Sequence, residues 1–459
     1  MVVSPYDNTF LKALEAISTL NSGERCALSG LLGSSKAFFI ASLLGKGVMP
    51  YAPTTNSEPR TVLIITPTQE EAENFTKDIN FFLGKKTALF YPSWEILPFE
   101  SQSPHPDIIA ARIDILNKLT HGHHNIIVTT PSAIMQRVIP KGVLISSVQR
   151  FEVGMEVNRD EILQRLLQIG YSRTGLVEEK GEMRVAGGIL DIFPPSYSAP
   201  VRIEFFGDEI ESIRTFDSAT QRSKEDLKEA VILPAKEIIF SKNVNEMALD
   251  KLRKRADELE LPKDVKESIS DRIRDGLVFA GIDFLSPLFY ERLDTLFGYL
   301  PKNCLLFLNN LNEIEEAGRG FENEVSDGRI KIEEKRQFFV KPEEFYMDVM
   351  EFKSGFEKMG TVVMEASIPP GPHLIDKGVT NSCEFSTQSN LDIRQDIASR
   401  KEEILKPLVD KMKDWHDLGW GIFIVCHNTG QAERLKELLE GYHLFHSPLA
   451  PCLPTILIG

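Results

Sequence analysis

Short apolar runs alternate with amphipathic segments before Pro140, and this alternation is the feature that most constrains the fold. The run TVLIITP at 61–67 is almost wholly apolar, as expected for a strand buried on both faces of a parallel sheet, and NIIVTTP at 125–131 is expected to be another buried strand. Between them, PDIIAARIDILNKL has Ile109, Ile113 and Leu116 on one helical face. The alternation predicts a doubly wound α/β domain.

The stretch ALSGLLGSSKAFFIASLL, at 27–44, has the form of a phosphate-binding loop between a strand and a helix. A working loop reads G-x-x-x-x-G-K-[ST], and Gly30 and Lys36 have that spacing. Ser35 replaces the second glycine, and Ala37 replaces the hydroxyl residue that holds magnesium. The loop is therefore expected to be degenerate, either retained for structure or binding an anion weakly. Its residues are Gly30, Gly33, Ser34, Ser35, Lys36 and Ala37.

The pattern changes after Pro140. NRDEILQRLLQIGY is typical of a helix that Asn158 caps and Gly170 ends. EMRVAGGILDIFP and VRIEFFGDEIESIRTF are typical of strands, the second turning at Gly207 and Asp208. One helix with antiparallel strands indicates an inserted α+β domain. The expected boundaries are 1–139 for domain 1a, 140–217 for the inserted domain 2, 218–345 for domain 1b, which completes domain 1, and 350–459 for domain 3, a second small α/β domain.

Composition narrows the class of protein. A net charge of −15 argues against a general polyanion-binding protein. The five cysteines include no C-x-x-C pair, which argues against a zinc site or a disulfide framework. His121, His123 and His124 lie in a polar turn without a carboxylate or cysteine partner, so no metal site is predicted. There is no run of 18 apolar residues and no signal peptide, so we expect a cytoplasmic protein without membrane contact.

Three stretches carry a family resemblance: YPSWEILPFESQSPHPDIIAARIDILNKL, YSRTGLVEEKGEMRVAGGILDIFPP and VRIEFFGDEIESIRTFDSATQRS. They closely resemble the N-terminal region of the bacterial transcription-repair coupling factors, from about residue 30 to about residue 234 and more loosely to the end. The resemblance implies a module homologous to the excinuclease B subunit, in which a degenerate, motor-like (P-loop NTPase-like) domain 1 is interrupted by domain 2, resumes after it and is followed by a small third domain. In the family, a domain that binds RNA polymerase and an ATP- and magnesium-dependent DNA translocase follow downstream. Neither is in this sequence, which ends in the strand-like run CLPTILIG, so we expect a truncated chain with no cofactor of its own.

The resemblance also implies a binding site on domain 2, where arginines of the excinuclease B subunit dock the excinuclease A subunit. Arg173 in GYSRTG and Arg184 in GEMRVAGG match two of these arginines, and Ala186 occupies the position of a third. Phe193 in ILDIFPP would supply an apolar anchor, since arginine and aromatic side chains commonly dominate interfaces. A hairpin-like return through LVEEKGE would bring Arg173 and Arg184 onto one surface. The alternatives are solvated arginines and a core phenylalanine.

Two other features have structural interpretations. Tyr91, Trp94 and Phe99 are too few and too close together to form the long aromatic hairpin of excinuclease B subunits, so we expect them to pack in the core or in a loop. His105, in SPHP, is expected to fix a loop by hydrogen bonds.

Two functions remain open at this point. The first is a non-enzymatic adaptor that presents domain 2 to the excinuclease A subunit, within a parent protein that contacts RNA polymerase and DNA through its downstream domains. The second is a nucleotide-dependent, excinuclease-B-like DNA helicase with a variant loop. Ser35 and Ala37 favour the first.

Overall fold

The structure is a computed structural model, and it describes residues 8–44, 60–84, 87–96, 99–100, 102–122, 125–366, 379–387, 390–399, 403–418, 422–426, 428–442 and 455–458. The helices are α1 (Asn8–Ser18), α2 (Ser35–Leu43), α3 (Gln69–Leu83), α4 (Pro106–Thr120), α5 (Pro131–Met135), α6 (Lys141–Ser147), α7 (Arg159–Gln168), α8 (Lys242–Glu258), α9 (Lys263–Arg274), α10 (Ser286–Phe289), α11 (Leu296–Tyr299), α12 (Leu311–Glu334), α13 (Pro342–Phe345), α14 (Val349–Ser354), α15 (Leu391–Ser399), α16 (Lys406–Asp417) and α17 (Thr429–Glu440).

The strands are β1 (Arg25–Ser29), β2 (Val62–Ile65), β3 (Ala88–Tyr91), β4 (Ile126–Thr129), β5 (Gln149–Glu152), β6 (Ser172–Arg173), β7 (Glu182–Ala186), β8 (Ile189–Ile192), β9 (Val201–Phe206), β10 (Glu209–Phe216), β11 (Ser223–Leu227), β12 (Glu229–Ile232), β13 (Leu305–Asn309), β14 (Gly360–Glu365), β15 (Val379–Glu384), β16 (Phe423–Cys426) and β17 (Thr455–Ile458). Two short 3₁₀ turns cover Ile282–Leu285 and Phe356–Lys358.

Seven parallel strands form the largest sheet, in the order β15-β1-β14-β13-β2-β4-β3. Parallel strands need crossover connections, which place helices over the faces of the sheet and bury both of them. Alternate residues of β2 therefore enter two different hydrophobic cores, Leu63 and Ile65 on one face and Val62 and Ile64 on the other. The α/β class and the large parallel sheet expected from the sequence are confirmed.

Helix ends follow the local sequence signals. The Thr68 side chain accepts a hydrogen bond from the backbone N–H of Glu71, which caps α3, and Gly84 ends that helix at φ 65°. Asn158 Oδ1 accepts from two backbone N–H groups at the start of α7, at 3.0 and 3.2 Å. A cap of this kind stabilises a helix by about 1 kcal/mol. The helix expected at NRDEILQRLLQIGY is therefore confirmed together with its cap.

Strands β14 and β15 lie in the seven-stranded sheet, which corrects the expected domain boundary at residue 350. β14 pairs with β1 on one side and with β13 on the other, and β15 pairs with β1. The run GTVVMEA has the composition of any buried strand, so its sequence does not indicate which sheet it joins. Domain 1 thus continues to about residue 384, and the last unit is smaller than expected. That unit packs α16 and α17 around Val409, Met412 and Leu439, with β16 and β17 as a parallel pair.

A separate six-stranded sheet, in the order β11-β10-β9-β8-β7-β6, forms the inserted domain. Its neighbouring strands are antiparallel except for β6 and β7. Helix α7 covers one face of the sheet, where Ile162 and Leu166 join a core with Leu190 and Ile203. The chain enters through β5 and leaves through β12, and these two strands pair with each other. The domain therefore extends past the expected boundary at 217, since β11 and β12 complete it.

In the part of the chain that the structure describes, no helix has the length and apolar character needed to cross a membrane.

Candidate functional site

The loop after β1 is covered by the segment that follows β15. Gly30 has φ +75°, and a Cβ atom on it would lie 1.8 Å from the carbonyl oxygen of Phe385. The backbone N–H of Phe385 donates to the Ser29 carbonyl at 2.8 Å, and the Thr387 hydroxyl accepts from the Leu32 N–H at 3.1 Å while donating to the Gly30 carbonyl. Only glycine fits at position 30, because both the backbone torsion and the space exclude a side chain.

The polar groups of this loop already bond within the protein. The backbone N–H groups of Ser35 and Lys36 donate to the carbonyls of Leu32 and Gly33, at 3.2 and 3.4 Å. The Ser35 hydroxyl donates to the Leu32 carbonyl at 2.7 Å. Ala37 is buried in the hydrophobic core on one face of the seven-stranded sheet. The amides that face a phosphate in a working loop are therefore directed at the loop's own carbonyls.

The Lys36 side chain ends inside a polar cluster. Its ammonium donates to Asn309 Oδ1 at 2.5 Å, and Asn309 Nδ2 donates to Glu71 Oε2 at 2.9 Å. Burial lowers the pKa of Lys36, and the nearby carboxylates of Glu71, Glu365 and Glu313 only partly oppose that shift. The pKa of Glu71 is raised, chiefly by burial. Asn309, itself bonded to Glu71, thus holds the ammonium of Lys36.

Gly33 and Ser34 complete the loop at the surface. Gly33 has φ +55° and no atom within 4 Å of the place that a Cβ would take. The Ser34 side chain bonds to Asp78, and this bond opposes the rise that burial causes in the pKa of Asp78. The six loop residues thus lie together at the carboxyl end of β1.

The second candidate site is the face of the inserted sheet that α7 does not cover, which we call the outer face. Side chains alternate across a strand, so Val201, Ile203 and Phe205 point towards α7 while the residues between them point outwards. Five outward residues lie directly opposite one another on consecutive strands, and we call them the charge row. They are Arg184, Asp191, Arg202, Arg214 and Asp226.

Asp191 is the centre of the charge row. Its side chain is only 1% exposed, and its two oxygens accept from Arg202 Nε at 2.6 Å and Nη2 at 3.0 Å. Arg184 Nη1 donates to the same carboxylate at 3.3 Å. The Arg202 guanidinium carbon also lies 4.7 Å from the ring centroid of Phe216. One buried carboxylate therefore orders two arginines, one of them in the two-point geometry that guanidinium and carboxylate favour.

Arg214 is held by a separate pair of acids. Its Nη2 donates to Glu204 Oε2 at 2.8 Å, and its Nε lies 3.6 Å from Asp226 Oδ1. Like charges directly opposite each other destabilise a sheet, so Arg202 and Arg214 can be neighbours only because each has a carboxylate partner. At the hairpin tip of the same face, Phe206 is 78% exposed.

The structure separates the residues that the sequence grouped as a docking site. β6 and β7 are parallel, with Arg173 opposite Met183, so the expected hairpin-like return is wrong. Met183 is buried on the side of α7, and by this register Arg173 lies at the edge of that side. Arg184, one residue further along, belongs to the outer face.

Phe193 is 8% exposed and packs with Val177 and Phe216. Of the two alternatives for Phe193, the core phenylalanine fits this burial, because the loop between β6 and β7 covers the side chain. Phe206 is the exposed aromatic residue of this face instead. The alternation of apolar and charged residues in VRIEFF predicts that Arg202 and Glu204 share a face, but only the strand register reveals that Asp191 lies between the arginines.

The remaining expectations concern α4 and the segment before it. Tyr91 and Trp94 are buried in the main core, and Phe99 packs on Phe339, so their structural interpretation is confirmed. His105 Nδ1 accepts from the Asp107 N–H at 3.3 Å and caps α4, as expected of a residue that fixes a loop. Within the described ranges no group of three potential metal ligands occurs, and His123 and His124 lie outside those ranges.

Comparison with known proteins defines the class of the inserted domain. Residues 150–238, which contain the complete charge row, match the family model of the UvrB interaction domain. Most of the chain is similar to transcription-repair-coupling factors. It is 29% identical to that of Myxococcus xanthus over 445 residues, which is 93% of this chain and 35% of the relative. It is 30% identical to the factor of Bacillus subtilis over 334 residues, which is 70% of this chain and 27% of the relative. It is 31% identical to that of Escherichia coli over 304 residues, which is 66% of this chain and 25% of the relative.

These matches confirm the resemblance to the excinuclease-B-like module of transcription-repair coupling factors. The chain spans about a third or less of the length of the curated relatives that it matches.

Proposed function

We propose that this chain is a non-catalytic adaptor, the excinuclease-B-like module of a transcription-repair coupling factor. On this proposal its outer face recruits nucleotide excision repair by binding the excinuclease A subunit. The match of residues 150–238 to the UvrB interaction domain supports a role in contacting the excision repair machinery. The similarity of the rest of the chain to transcription-repair-coupling factors supports the wider context.

The charge row is the observation that carries the proposal. Asp191 orders Arg184 and Arg202 within the free protein, so these side chains lose less conformational entropy when a partner binds. The Arg184 and Arg214 side chains remain 35% and 34% exposed, which leaves donors for carboxylates or carbonyls of a partner. Arginine side chains are common anchors of protein interfaces.

Acidic side chains match the arginines of the charge row. Three arginines of the charge row face three acids, Asp191, Glu204 and Asp226. Recognition on this face therefore depends on the positions of hydrogen-bond donors more than on net charge, and on Phe206 as the apolar anchor that the sequence assigned to Phe193.

We also propose that the loop after β1 is a degenerate phosphate-binding loop of a motor-like domain and hydrolyses no nucleotide. Ala37 offers no hydroxyl to magnesium, and the Lys36 ammonium already bonds to Asn309. The alternative function, a nucleotide-dependent helicase, requires that lysine to be free. Phosphate release, with and without DNA, should equal the background and stay unchanged in Lys36→Ala. Turnover that Lys36→Ala abolishes would favour the helicase instead.

For the intact protein, we place the contacts with RNA polymerase and DNA, and the ATP and magnesium of a translocase, outside residues 1–459. We place the protein in the cytoplasm. Relatives about three times as long as this chain support a further portion that carries those activities.

Calorimetric titration of the chain with purified excinuclease A subunit tests the proposal. We expect saturable binding by the wild type and at least about tenfold weaker binding, roughly 1.4 kcal/mol, by Arg184→Ala/Arg214→Ala. The matched control is Arg150→Ala, which removes an exposed arginine of β5 that pairs with Glu229 away from the outer face. The control should bind within about twofold of the wild type. Lack of binding by the folded wild type would contradict the proposal.

A further inference from the structure

The segment at 233–240, which we call the exit segment, carries the chain from the inserted domain back to domain 1. On one side it bonds to the end of α7: the N–H of Ala235 donates to the Ile169 carbonyl at 2.9 Å, and that of Phe240 donates to the Gln168 carbonyl at 2.7 Å. The Tyr171 hydroxyl donates to the Leu233 carbonyl at 2.8 Å. The exit segment is therefore part of the inserted domain as well as its connection.

On its other side the exit segment is held by charges of domain 1. Glu237 Oε1 accepts from Arg112 Nε of α4 at 2.9 Å, and both side chains are almost completely buried. The preceding residue, Lys236, lies 3.6 Å from Asp283 of the first 3₁₀ turn, and that carboxylate is buried as well. Consecutive residues of opposite charge thus bind two separate elements of domain 1.

Two further contacts fix the same joint. The Tyr290 hydroxyl donates to the Glu237 carbonyl at 2.9 Å and accepts from the Ile239 N–H at 3.0 Å. Near the surface, Lys180 of the loop between β6 and β7 lies 2.8 Å from Asp107 at the start of α4. The hydrogen bond from Lys180 lowers the pKa of Asp107.

These contacts connect the outer face to the rest of the chain. Domains of one chain are expected to move relative to each other unless the interface between them is large and hydrophobic. Buried ion pairs contribute little net stability compared with apolar packing, but they penalise any arrangement in which a charge loses its partner. A tilt of the inserted domain about the points where the chain enters and leaves it would separate Glu237 from Arg112 and Lys236 from Asp283.

We infer that Lys236 and Glu237, through Asp283 and Arg112, are positioning residues that hold the outer face at one orientation relative to domain 1. The inference rests on the proposed function, in that the outer face is the surface whose orientation matters to the excinuclease A subunit. It predicts that the charge at 237 sets the angle at which the docking arginines are presented, without touching the partner.

Pulsed electron paramagnetic resonance on the full chain tests this. Spin labels at Glu225→Cys on β11 and Met350→Cys on α14, both exposed, report the distance between the two domains, with Cys383 and Cys452 changed to serine. We expect one narrow distance distribution for the parent and a distribution at least about twice as wide for Glu237→Gln, since the neutral side chain no longer penalises separation from Arg112. The matched control is Glu229→Gln in β12, the strand just before the exit segment. It removes a carboxylate that pairs with Arg150 at the surface, and it should leave the width of the distribution unchanged.

An equally narrow distribution in a folded Glu237→Gln protein would overturn the inference, and so would a broad distribution in the parent. If Glu237→Gln does not fold, Lys236→Gln decides, because it removes the second charge pair of the same joint, with Asp283: broadening supports the inference and an unchanged width overturns it. The measurement needs no partner, so failure to bind the excinuclease A subunit would contradict the proposed function without altering this result.

Discussion

Two regions of the molecule place a cation at a candidate site, and they treat it in different ways. In the loop after β1, Lys36 is bonded to Asn309 and the loop lies under the segment from Phe385 to Thr387. On the outer face, Asp191 also binds arginines internally, but about a third of the Arg184 side chain remains exposed. Pairing within the protein therefore leaves Lys36 unavailable to a ligand, whereas on the outer face it fixes the positions of arginines that can still reach a partner.

The difference follows from what surrounds each cation. The loop sits at the end of a sheet that is covered on both faces, so its polar groups have to find partners within the protein. The inserted sheet is covered by α7 on one face only, and its other face can use the same kind of ion pair without losing contact with solvent. A cation paired with a polar side chain is therefore a structural group in the loop after β1, and on the outer face it is a group available for binding.

Removing Asp191 should produce the largest effect, because it takes the common partner away from two arginines of the charge row. We expect Asp191→Ala to lower the free energy of unfolding of the inserted domain by about 3 kcal/mol, since Arg202 is left mostly buried and unpaired. Chemical denaturation measures this. Asp226→Ala, at a carboxylate that is 91% exposed, is the matched control and should cost less than about 0.5 kcal/mol. Equal effects of the two changes would mean that Asp191 does not organise the row.

Gly30→Ala should have a smaller effect and tests whether the loop is closed. We expect a loss of about 2 kcal/mol, because the new Cβ meets the Phe385 carbonyl in addition to the strained backbone torsion. Gly33→Ala meets no atom within 4 Å and should cost only about 1 kcal/mol for its positive φ. Thermal and chemical unfolding of the two variants give the comparison. If Gly30→Ala were no worse than Gly33→Ala, the segment from Phe385 to Thr387 would not cover the loop.

Much of domain 1 could be predicted from the sequence because its signals are local. The apolar run at 61–67 and the capping threonine at 68 specify β2 and the start of α3 without reference to the rest of the chain. That β14 belongs to the seven-stranded sheet was not predictable in this way. Any buried strand has such a composition, and its place between β1 and β13 is set by packing over more than 300 residues of separation.

The outer face shows the same limit. The alternation in VRIEFF predicts that Arg202 and Glu204 point away from the core. The partner of Arg202 depends on which residue of β8 lies opposite, and register is a property of two strands and their turn. The parallel pairing of β6 and β7 likewise depends on a loop whose path the sequence did not indicate, so Arg173 and Arg184 were grouped although they lie on different sides.

The most direct test of the account compares two arginines that the sequence grouped and the structure separates. Arg184→Ala and Arg173→Ala should each be titrated against the excinuclease A subunit by calorimetry, with a thermal melt to confirm folding. The account predicts that Arg184→Ala weakens binding by about tenfold, roughly 1.4 kcal/mol, while Arg173→Ala stays within about twofold of the wild type. A loss of affinity in Arg173→Ala, with Arg184→Ala unchanged, would contradict it and move the docking surface to the side of α7.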